Sequence, residues 1–144
     1  MIKILICGLP GSGKTTLAES LARELDAVWI NADKIRTAYN DWDFSLPGRI
    51  RQSVRMRHLS DGVVMAGRIA VVDFVCPTDE TRKEFDADCT IWMNTITEGQ
   101  FEDTNIMFEK PTKCDFIITD SHNIKQTQFL GPKILRKYST DYGG

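Results

Sequence analysis

The chain has 144 residues, which is enough for one domain with a hydrophobic core and too few for two. Apolar residues make up 42% and charged residues 26%, values typical of globular domains, which excludes a disordered, collagen-like or coiled-coil chain. The formal net charge is −2, so we expect neither a long nucleic acid nor a membrane as a partner. An anionic ligand would have to be bound by a local arrangement of groups.

The cysteines also restrict the class of protein. The chain contains Cys7, Cys76, Cys89 and Cys114, with no C-x-x-C pair among them. This pattern does not favour a zinc site or a disulfide framework. No apolar run approaches the length of a membrane span, and we expect a cytoplasmic protein with free thiols.

The first half of the chain alternates short apolar runs with amphipathic segments. Residues 2–7 form a β-branched apolar run that predicts a buried strand. Residues 17–25 carry a leucine at every fourth position, which predicts a helix with one apolar stripe. A second short strand is predicted at residues 27–30 and a short helix at residues 34–39.

The second half continues this alternation. We predict a loop at residues 45–48 and a long helix at residues 49–66. The side chains expected to face the core from this helix are Ile50, Val54, Leu59 and Val63. The remaining predicted elements are a strand at 69–75, a short helix at 78–85, strands at 89–94 and 116–119, and a helix at 132–138.

Residues 95–115 form a polar stretch of a length that compact domains rarely leave unstructured unless it is a lid or binding loop. We call it the short lid. Residues 121–144 have a weak pattern and are poorly defined by sequence. The whole pattern predicts one α/β domain over residues 1–144, with three layers and a mostly parallel five-stranded sheet flanked by helices.

The strongest motif is the sequence G-L-P-G-S-G-K-T at residues 8–15. It fits the phosphate-binding loop pattern and lies between a predicted strand and a predicted helix, as that motif requires. It predicts a P-loop NTPase fold that binds ATP and Mg²⁺, with Lys14 at the β- and γ-phosphates and the Thr15 hydroxyl on the metal. The predicted nucleotide-binding residues are Gly8, Gly11, Ser12, Gly13, Lys14, Thr15 and Thr16.

Two aspartates follow predicted strands, at the edge where a parallel α/β sheet binds its ligands. Asp33 comes after the second strand and could order Mg²⁺, take the acceptor proton, or only cap the following helix. Asp73 ends the sequence V-V-D after the third strand, which resembles a Walker B motif that holds Mg²⁺.

Arginines crowd the start of the long helix, at Arg49, Arg51, Arg55 and Arg57. Arg51 and Arg55 form a like-charge pair at i, i+4, which an anionic ligand or nearby carboxylates would offset. A solvated basic face is the structural alternative. Because Tyr39, Trp42 and Phe44 lie upstream, single-stranded nucleic acid is a further one.

Taken together, the motifs resemble the adenylylsulfate kinase family over roughly residues 1–120. The P-loop is followed by N-A-D-K-I-R, where that family carries D-G-D-N-[IV]-R, and by D-F-S-L-P-G-R, parallel to G-F-S-x-x-D-R. D-F-V-C-P parallels S-F-I-S-P, with Arg82 a few residues on. F-E-D-T-N-I-M-F-E-K-P parallels G-F-T-G-x-x-x-x-Y-E-x-P.

The resemblance implies transfer of the ATP γ-phosphoryl to the 3′-hydroxyl of adenylylsulfate, a step of sulfate assimilation. It implies that Arg36 and Arg49 hold the phosphosulfate and that Phe44 and Phe101 sandwich the adenine. The implied acceptor-binding residues are Arg36, Phe44, Arg49, Gln52, Phe74, Cys76 and Phe101. We expect Lys14 and Asp33 to be the catalytic residues. The expected metal ligands are Thr15 of the phosphate loop and the strand-end aspartates Asp33 and Asp73, of which Asp73 comes from the motif that resembles Walker B. The resemblance implies that the binding partner is a small nucleotide, adenylylsulfate or a similar one. It leaves open whether the protein forms a homodimer.

The chain departs from the family at several positions. Asn31 replaces the first acidic residue of D-G-D, Gln52 replaces Asn and Cys76 replaces Ser, while Asp73 stands where the family is usually uncharged. Residues 95–100 are much shorter than the family's lid and lack the Arg and Lys residues found there. The local charge is instead acidic, with Glu98, Glu102 and Asp103. Two alternatives therefore remain: a P-loop kinase for another hydroxyl acceptor (a polynucleotide 5′-end, nucleoside or sugar), and a nucleotide-binding module with weak catalysis.

Overall fold

The fold is built from five strands and six helices within residues 1–120 and 124–138, the part of the chain that the computed structural model describes. In chain order they are β1 (Lys3–Cys7), α1 (Lys14–Glu24), β2 (Val28–Asn31), α2 (Ala32–Tyr39), α3 (Leu46–Met65), β3 (Ala70–Asp73), α4 (Asp79–Phe85), β4 (Cys89–Met93), α5 (Glu102–Met107), β5 (Phe116–Ile118) and α6 (Ile124–Tyr138). The predicted strands are confirmed with small shifts at their ends.

The sheet has the order β2-β3-β1-β4-β5, and each neighbouring pair is parallel. Every residue of the central strand β1 is buried, because helices cover both of its faces. The carboxyl ends of β1, β2 and β3 lie at one edge of the sheet, and the phosphate loop, Asn31 and Asp73 lie at this edge. The predicted three-layer parallel α/β fold is confirmed.

Alternate residues of β1 supply two separate hydrophobic cores. Ile4 and Ile6 pack with leucines of α1 and with Leu130 of α6 on one side of the sheet. Leu5 and Cys7 pack with Met56 of α3 and other apolar side chains on the opposite side. The strand periodicity of two residues thereby holds helices on both faces.

Helix α3 differs from its prediction in start and in orientation. It begins at Leu46, because the Ser45 hydroxyl accepts a hydrogen bond from the Gly48 N–H at 3.3 Å and Pro47 is tolerated in the first turn. All four predicted core residues of this helix are half-buried. Leu59 and Val63 pack against the core, whereas Ile50 and Val54 belong to neither core of the described residues, so their predicted core positions are wrong. The buried face carries Arg49, Gln52, Ser53, Met56 and Ser60.

Two further segments are more helical than predicted. The short lid contains the helix α5. The last helix begins at Ile124, eight residues before its predicted start, so Pro132 lies inside this helix and does not open it. Residues 121–123 and 139–144, part of the poorly defined segment, lie outside the described residues. Within the described residues, none of the helices combines the length and apolarity needed to cross a membrane.

Candidate functional site

The phosphate loop is held in a conformation that only glycines allow at two of its turns. Gly11 and Gly13 have φ angles of 85° and 98°, in the left-handed region. A Cβ atom on Gly8 would lie 2.7 Å from the carbonyl oxygen of Met93, so the loop passes too close to β4 for any side chain. Gly13 also caps α1 without a side-chain hydrogen bond, which leaves the N-terminal N–H groups of α1 open to an anion.

Two polar side chains of the loop fit a phosphate. The Ser12 hydroxyl is buried and has no hydrogen-bond partner among the described residues. Lys14 Nζ donates to the Leu9 carbonyl oxygen at 2.9 Å. Burial lowers the pKa of Lys14 to about 8, and the negative charge of Asp73 opposes that shift. Both groups would be better satisfied by phosphate oxygens than they are by the protein alone.

A cavity of about 1030 Å³ extends from this loop towards α2, α3 and the short lid. All seven predicted acceptor-binding residues line it, as do Lys14, Thr15, Asp33 and Asp73. Gly11 also lines the cavity, while Gly8, Ser12, Gly13 and Thr16 lie in the loop and at the start of α1. The tertiary structure therefore gathers side chains from both halves of the chain around one volume.

Asp73 lies at the floor of the cavity and is 3% exposed. Its Oδ2 accepts a hydrogen bond from Trp29 Nε1 at 2.5 Å, and its Oδ1 accepts from Asn31 Nδ2 at 3.0 Å and from Thr15 Oγ1 at 3.4 Å. Burial raises the pKa of Asp73, and the hydrogen bond from Trp29 and the charge of Lys14 oppose that rise. Trp29 gave no signal in the sequence beyond its place in a strand.

Asp33 lies in the first turn of α2, exposed and facing the cavity. The residue that caps α2 is Asn31, whose side-chain oxygen accepts from the Lys34 N–H at 3.1 Å. The alternative in which Asp33 caps this helix is therefore wrong. In the described part of the chain no hydrogen bond to the Asp33 carboxylate occurs, which leaves it available to a ligand.

The oxygen donors at this edge of the sheet suit a hard cation. No group of three or more His, Cys, Asp or Glu side chains arranged for a metal ion occurs among residues 1–120 and 124–138. Mg²⁺ typically uses one or two carboxylates together with phosphate oxygens and water, so it does not require such a group. Thr15, Asp33 and Asp73 could supply its protein ligands.

Arg36 and Arg49 are buried cations in the cavity wall, 4% and 8% exposed. Their guanidinium carbons lie 4.4 and 5.3 Å from the ring centroid of Phe44. Neither forms an ion pair with a carboxylate in the described residues. Burial lowers the pKa of both groups, yet arginine stays charged in proteins.

The bonds that these arginines make within the protein go to neutral oxygens. Arg36 Nη1 donates to the backbone oxygens of Asp41 and Asp43 at 3.0 and 3.3 Å. Arg49 Nε donates to the Phe44 backbone oxygen at 3.0 Å, and Arg49 Nη2 donates to Thr104 Oγ1 at 2.7 Å. The charges of Asp41 and Asp33 act on Arg36 from a distance, but neither arginine has a carboxylate within ion-pair distance in the described residues. Two buried guanidinium groups without a direct ion-pair partner form a strong site for an anion.

The other arginines of α3 are neutralised by carboxylates. Arg51 forms two hydrogen bonds to Asp41, at 2.8 and 3.0 Å, and one to Asp43 at 3.2 Å. Arg55 reaches the same Asp41 carboxylate at 3.0 Å. Of the explanations left open for this basic cluster, nearby carboxylates are the correct one for Arg51 and Arg55. Arg57 also lies near carboxylates, those of Asp61 and Asp86.

The remaining acceptor candidates differ in their surroundings. Gln52 is buried and donates to the Ala32 backbone oxygen at 3.2 Å, and the Phe74 ring packs edge-on against Phe85. Cys76 is buried at a positive φ of 44°, and burial raises the pKa of its thiol. Phe44 and Phe101 line the cavity and keep about half of their surface exposed, so both rings are accessible to a ligand.

The short lid is fixed to the rest of the molecule at several points. Thr95 Oγ1 donates to the Ser12 backbone oxygen at 2.7 Å, and Arg82 Nη2 donates to the Glu109 backbone oxygen at 2.5 Å. Within the lid, the Asn105 amide makes two hydrogen bonds with the backbone of Gly99. These contacts hold Asp103 and Thr104 at the cavity wall.

Solved protein structures with this fold include several small kinases. The APS kinase CysC of Mycobacterium tuberculosis, in complex with AMPPNP and APS, is 19% identical, with a TM-score of 0.76 over 90% of this chain and 94% of that chain. A sugar kinase from Janibacter sp. HTCC2649 is 16% identical, with a TM-score of 0.70 over 94% and 93%.

A shikimate kinase from Acinetobacter baumannii, in complex with shikimate, is 16% identical, with a TM-score of 0.59 over 98% of this chain and 94% of that chain. At these identities the likeness shows a P-loop kinase fold. No curated protein matches the chain. Residues 4–88, more than half of the sequence, match the family described as AAA domain, and the chain belongs to that family.

Proposed function

We propose that this protein is a kinase that transfers the γ-phosphoryl group of ATP to the 3′-hydroxyl of adenylylsulfate. The observation that carries the proposal is the pair Arg36 and Arg49, buried against Phe44 without a carboxylate partner in the described residues. This pair shares one cavity with Lys14 of the phosphate loop. An anionic acceptor would supply the direct ion-pair partner that both arginines lack in the described residues.

The phosphate loop would bind the nucleotide. Its backbone N–H groups and the unpaired Ser12 hydroxyl would donate to the phosphates, and Lys14 would exchange its bond to Leu9 for phosphate oxygens. Thr15 and Asp73 would hold Mg²⁺, with Asp33 as a further oxygen donor. The metal would supply charge neutralisation on the phosphates.

The acceptor would lie between α2, α3 and the short lid. Arg36 and Arg49 would donate to its phosphosulfate group, and Phe44 and Phe101 would stack on its adenine. Base stacking on an aromatic side chain is worth about 1–3 kcal/mol. Both arginines donate only to neutral oxygens in the described residues, so the acceptor would be the first anion in direct contact with them.

Asp33 would accept the proton of the 3′-hydroxyl, since its carboxylate is exposed to the cavity and accepts no hydrogen bond in the described residues. The 3′-oxygen then bonds to the γ-phosphorus, and the bond to the bridging oxygen of ADP breaks. Lys14 stabilises the charge that develops on the phosphoryl oxygens.

The alternatives use the same cavity. Arg36 and Arg49 could equally bind the phosphate or carboxylate of another hydroxyl-bearing acceptor. The acidic residues of the short lid are a reason to test this, because the adenylylsulfate kinase family has basic residues in its lid. A long nucleic acid is disfavoured because Arg51 and Arg55 are already paired with Asp41. A nucleotide-binding module with weak catalysis is the third possibility.

A coupled assay of ADP release with a panel of acceptors separates these functions. We expect release that depends on adenylylsulfate and is absent in the Lys14→Ala protein. Release only with nucleosides, sugars or oligonucleotide 5′-ends would replace the proposed acceptor with another. Tight Mg·ATP binding without acceptor-dependent ADP would leave the binding module.

A further inference from the structure

Trp29 is the half-buried tryptophan of the edge strand β2, and its indole N–H points at the cavity floor. Nε1 lies 2.5 Å from Asp73 Oδ2, the oxygen that neither Asn31 nor Thr15 contacts. The Lys34 ammonium stands 5.2 Å from the centroid of the Trp29 ring. The indole N–H, the single polar group of the Trp29 side chain, therefore donates its hydrogen bond to one carboxylate oxygen of Asp73.

Asn31 holds the other oxygen of Asp73 from the same strand. Asn31 and Asp73 are register partners across the β2–β3 pair, and Asn31 Nδ2 donates to Asp73 Oδ1 at 3.0 Å. The side-chain oxygen of Asn31 caps α2 at the same time. An aspartate at position 31 could keep the cap but would place a second carboxylate against Asp73.

These contacts fix the Asp73 carboxylate from both sides. Because a carboxylate on a free side chain rotates about two bonds, a donor on each oxygen removes most of that freedom. The Thr15 hydroxyl then lies 3.4 Å from Oδ1, which brings the two proposed metal ligands together. The neutral indole and amide donors orient the carboxylate without cancelling its charge.

We propose that Trp29 is a positioning residue, which sets the affinity for nucleotide-bound Mg²⁺ by holding Asp73 beside Thr15. Asn31 assists from the same strand. The inference rests on the nucleotide-binding part of the proposed function and is independent of the acceptor. Its consequence is that Trp29, which is not among the residues that line the cavity, controls how strongly Mg²⁺ promotes ATP binding.

The test is a double-mutant cycle of Trp29→Phe, Asp73→Asn and the double variant, read out as ATP affinity by calorimetry across a Mg²⁺ titration. Trp29→Phe keeps the aromatic packing and removes the N–H. We expect the Mg²⁺ concentration for half-maximal effect to rise about tenfold, the scale of one hydrogen bond to a charged group. In the Asp73→Asn background the same change should add nothing, because its target charge is gone.

Trp92→Phe is the matched control, since Trp92 is also half-buried, lies on β4 and packs into the core on the opposite face of the sheet. It should leave the Mg²⁺ dependence unchanged. Thermal unfolding without ligand verifies that each variant is folded. An unaltered Mg²⁺ dependence in Trp29→Phe, or an equal loss in the Asp73→Asn background, would overturn the inference. If wild-type protein shows this Mg²⁺ dependence but does not phosphorylate adenylylsulfate, only the proposed acceptor fails.

Discussion

Arg49 Nη2 donates a 2.7 Å hydrogen bond to the hydroxyl of Thr104, and this contact joins α3 to the helix of the short lid. Both residues are buried, at 8% and 5% exposure. Since Arg49 has no carboxylate partner in the described residues, Thr104 is one of the few groups that fix its direction. The position of the lid and the geometry of the anion site are therefore linked.

Replacing Thr104 by Val should weaken acceptor binding about tenfold, because it removes one hydrogen bond to a charged group without changing the side-chain volume much. Steady-state kinetics should show a higher KM for the acceptor, with little change in the dissociation constant of Mg·ATP. Thr127→Val is the control, because it deletes an equally buried hydroxyl that bonds Ser20 between α1 and α6. Equal effects of both variants on the acceptor KM would contradict the assigned link.

Replacing Arg49 by Ala should raise the acceptor KM by about two orders of magnitude, the scale of losing a buried charged partner. ATP binding should be far less affected, because Arg49 is bonded to Phe44 and to Thr104 of the short lid, whereas the ATP phosphates are expected at the phosphate loop. Arg23→Ala, which breaks only an exposed pair with Glu19, serves as the control. If Arg49→Ala weakens both ligands equally, its placement at the acceptor is refuted.

Two glycine substitutions should have opposite effects. Gly8→Ala places a Cβ 2.7 Å from the Met93 backbone oxygen at a φ of 153°, so it should destabilise the fold by about 1–3 kcal/mol and abolish detectable ATP binding.

A Cβ on Gly62 in α3 meets nothing within 4 Å, and Gly62→Ala should stabilise the fold by about 0.5–1 kcal/mol. Chemical denaturation and calorimetry measure both; normal ATP binding by Gly8→Ala would disprove the close approach.

Asp41→Asn should destabilise the protein at pH 7 but not in acid. The hydrogen bonds from Arg51 and Arg55 hold the pKa of the Asp41 carboxyl well below its usual range. The stabilisation that the paired Asp41 carboxylate contributes is therefore complete above its unfolded-state pKa of about 4. It is lost as the pH falls through the lower folded-state pKa. The Tm difference from wild type should thus shrink below about pH 4.

The exposed Glu19–Arg23 pair provides a comparison for the Asp41 prediction. Glu19→Gln should change Tm little at either pH, because an exposed ion pair on one helix contributes little to stability. A Tm difference for Asp41→Asn that persists unchanged into strong acid would show that its effect does not come from the paired carboxylate.

Much of the fold could be predicted because its signals are local. The apolar runs, the leucine stripe of α1 and the glycines of the phosphate loop each report on a few neighbouring residues. The orientation of α3 could not be predicted in this way. Periodicity assumes that the buried face is apolar, and α3 buries Arg49 and Gln52 where it borders the cavity.

The sequence by itself determined the phosphate loop and the alternation of strands and helices in a parallel sheet. It also indicated most of the polar side chains near the carboxyl edge of that sheet. Only the tertiary structure decided which of these side chains are buried and which partners they have. It paired Arg51 and Arg55 with Asp41, and within the described residues it left Arg36 and Arg49 buried without a carboxylate at ion-pair distance. It also brought Trp29 and Asn31 onto Asp73, because adjacent parallel strands place residues more than forty positions apart in hydrogen-bonding contact.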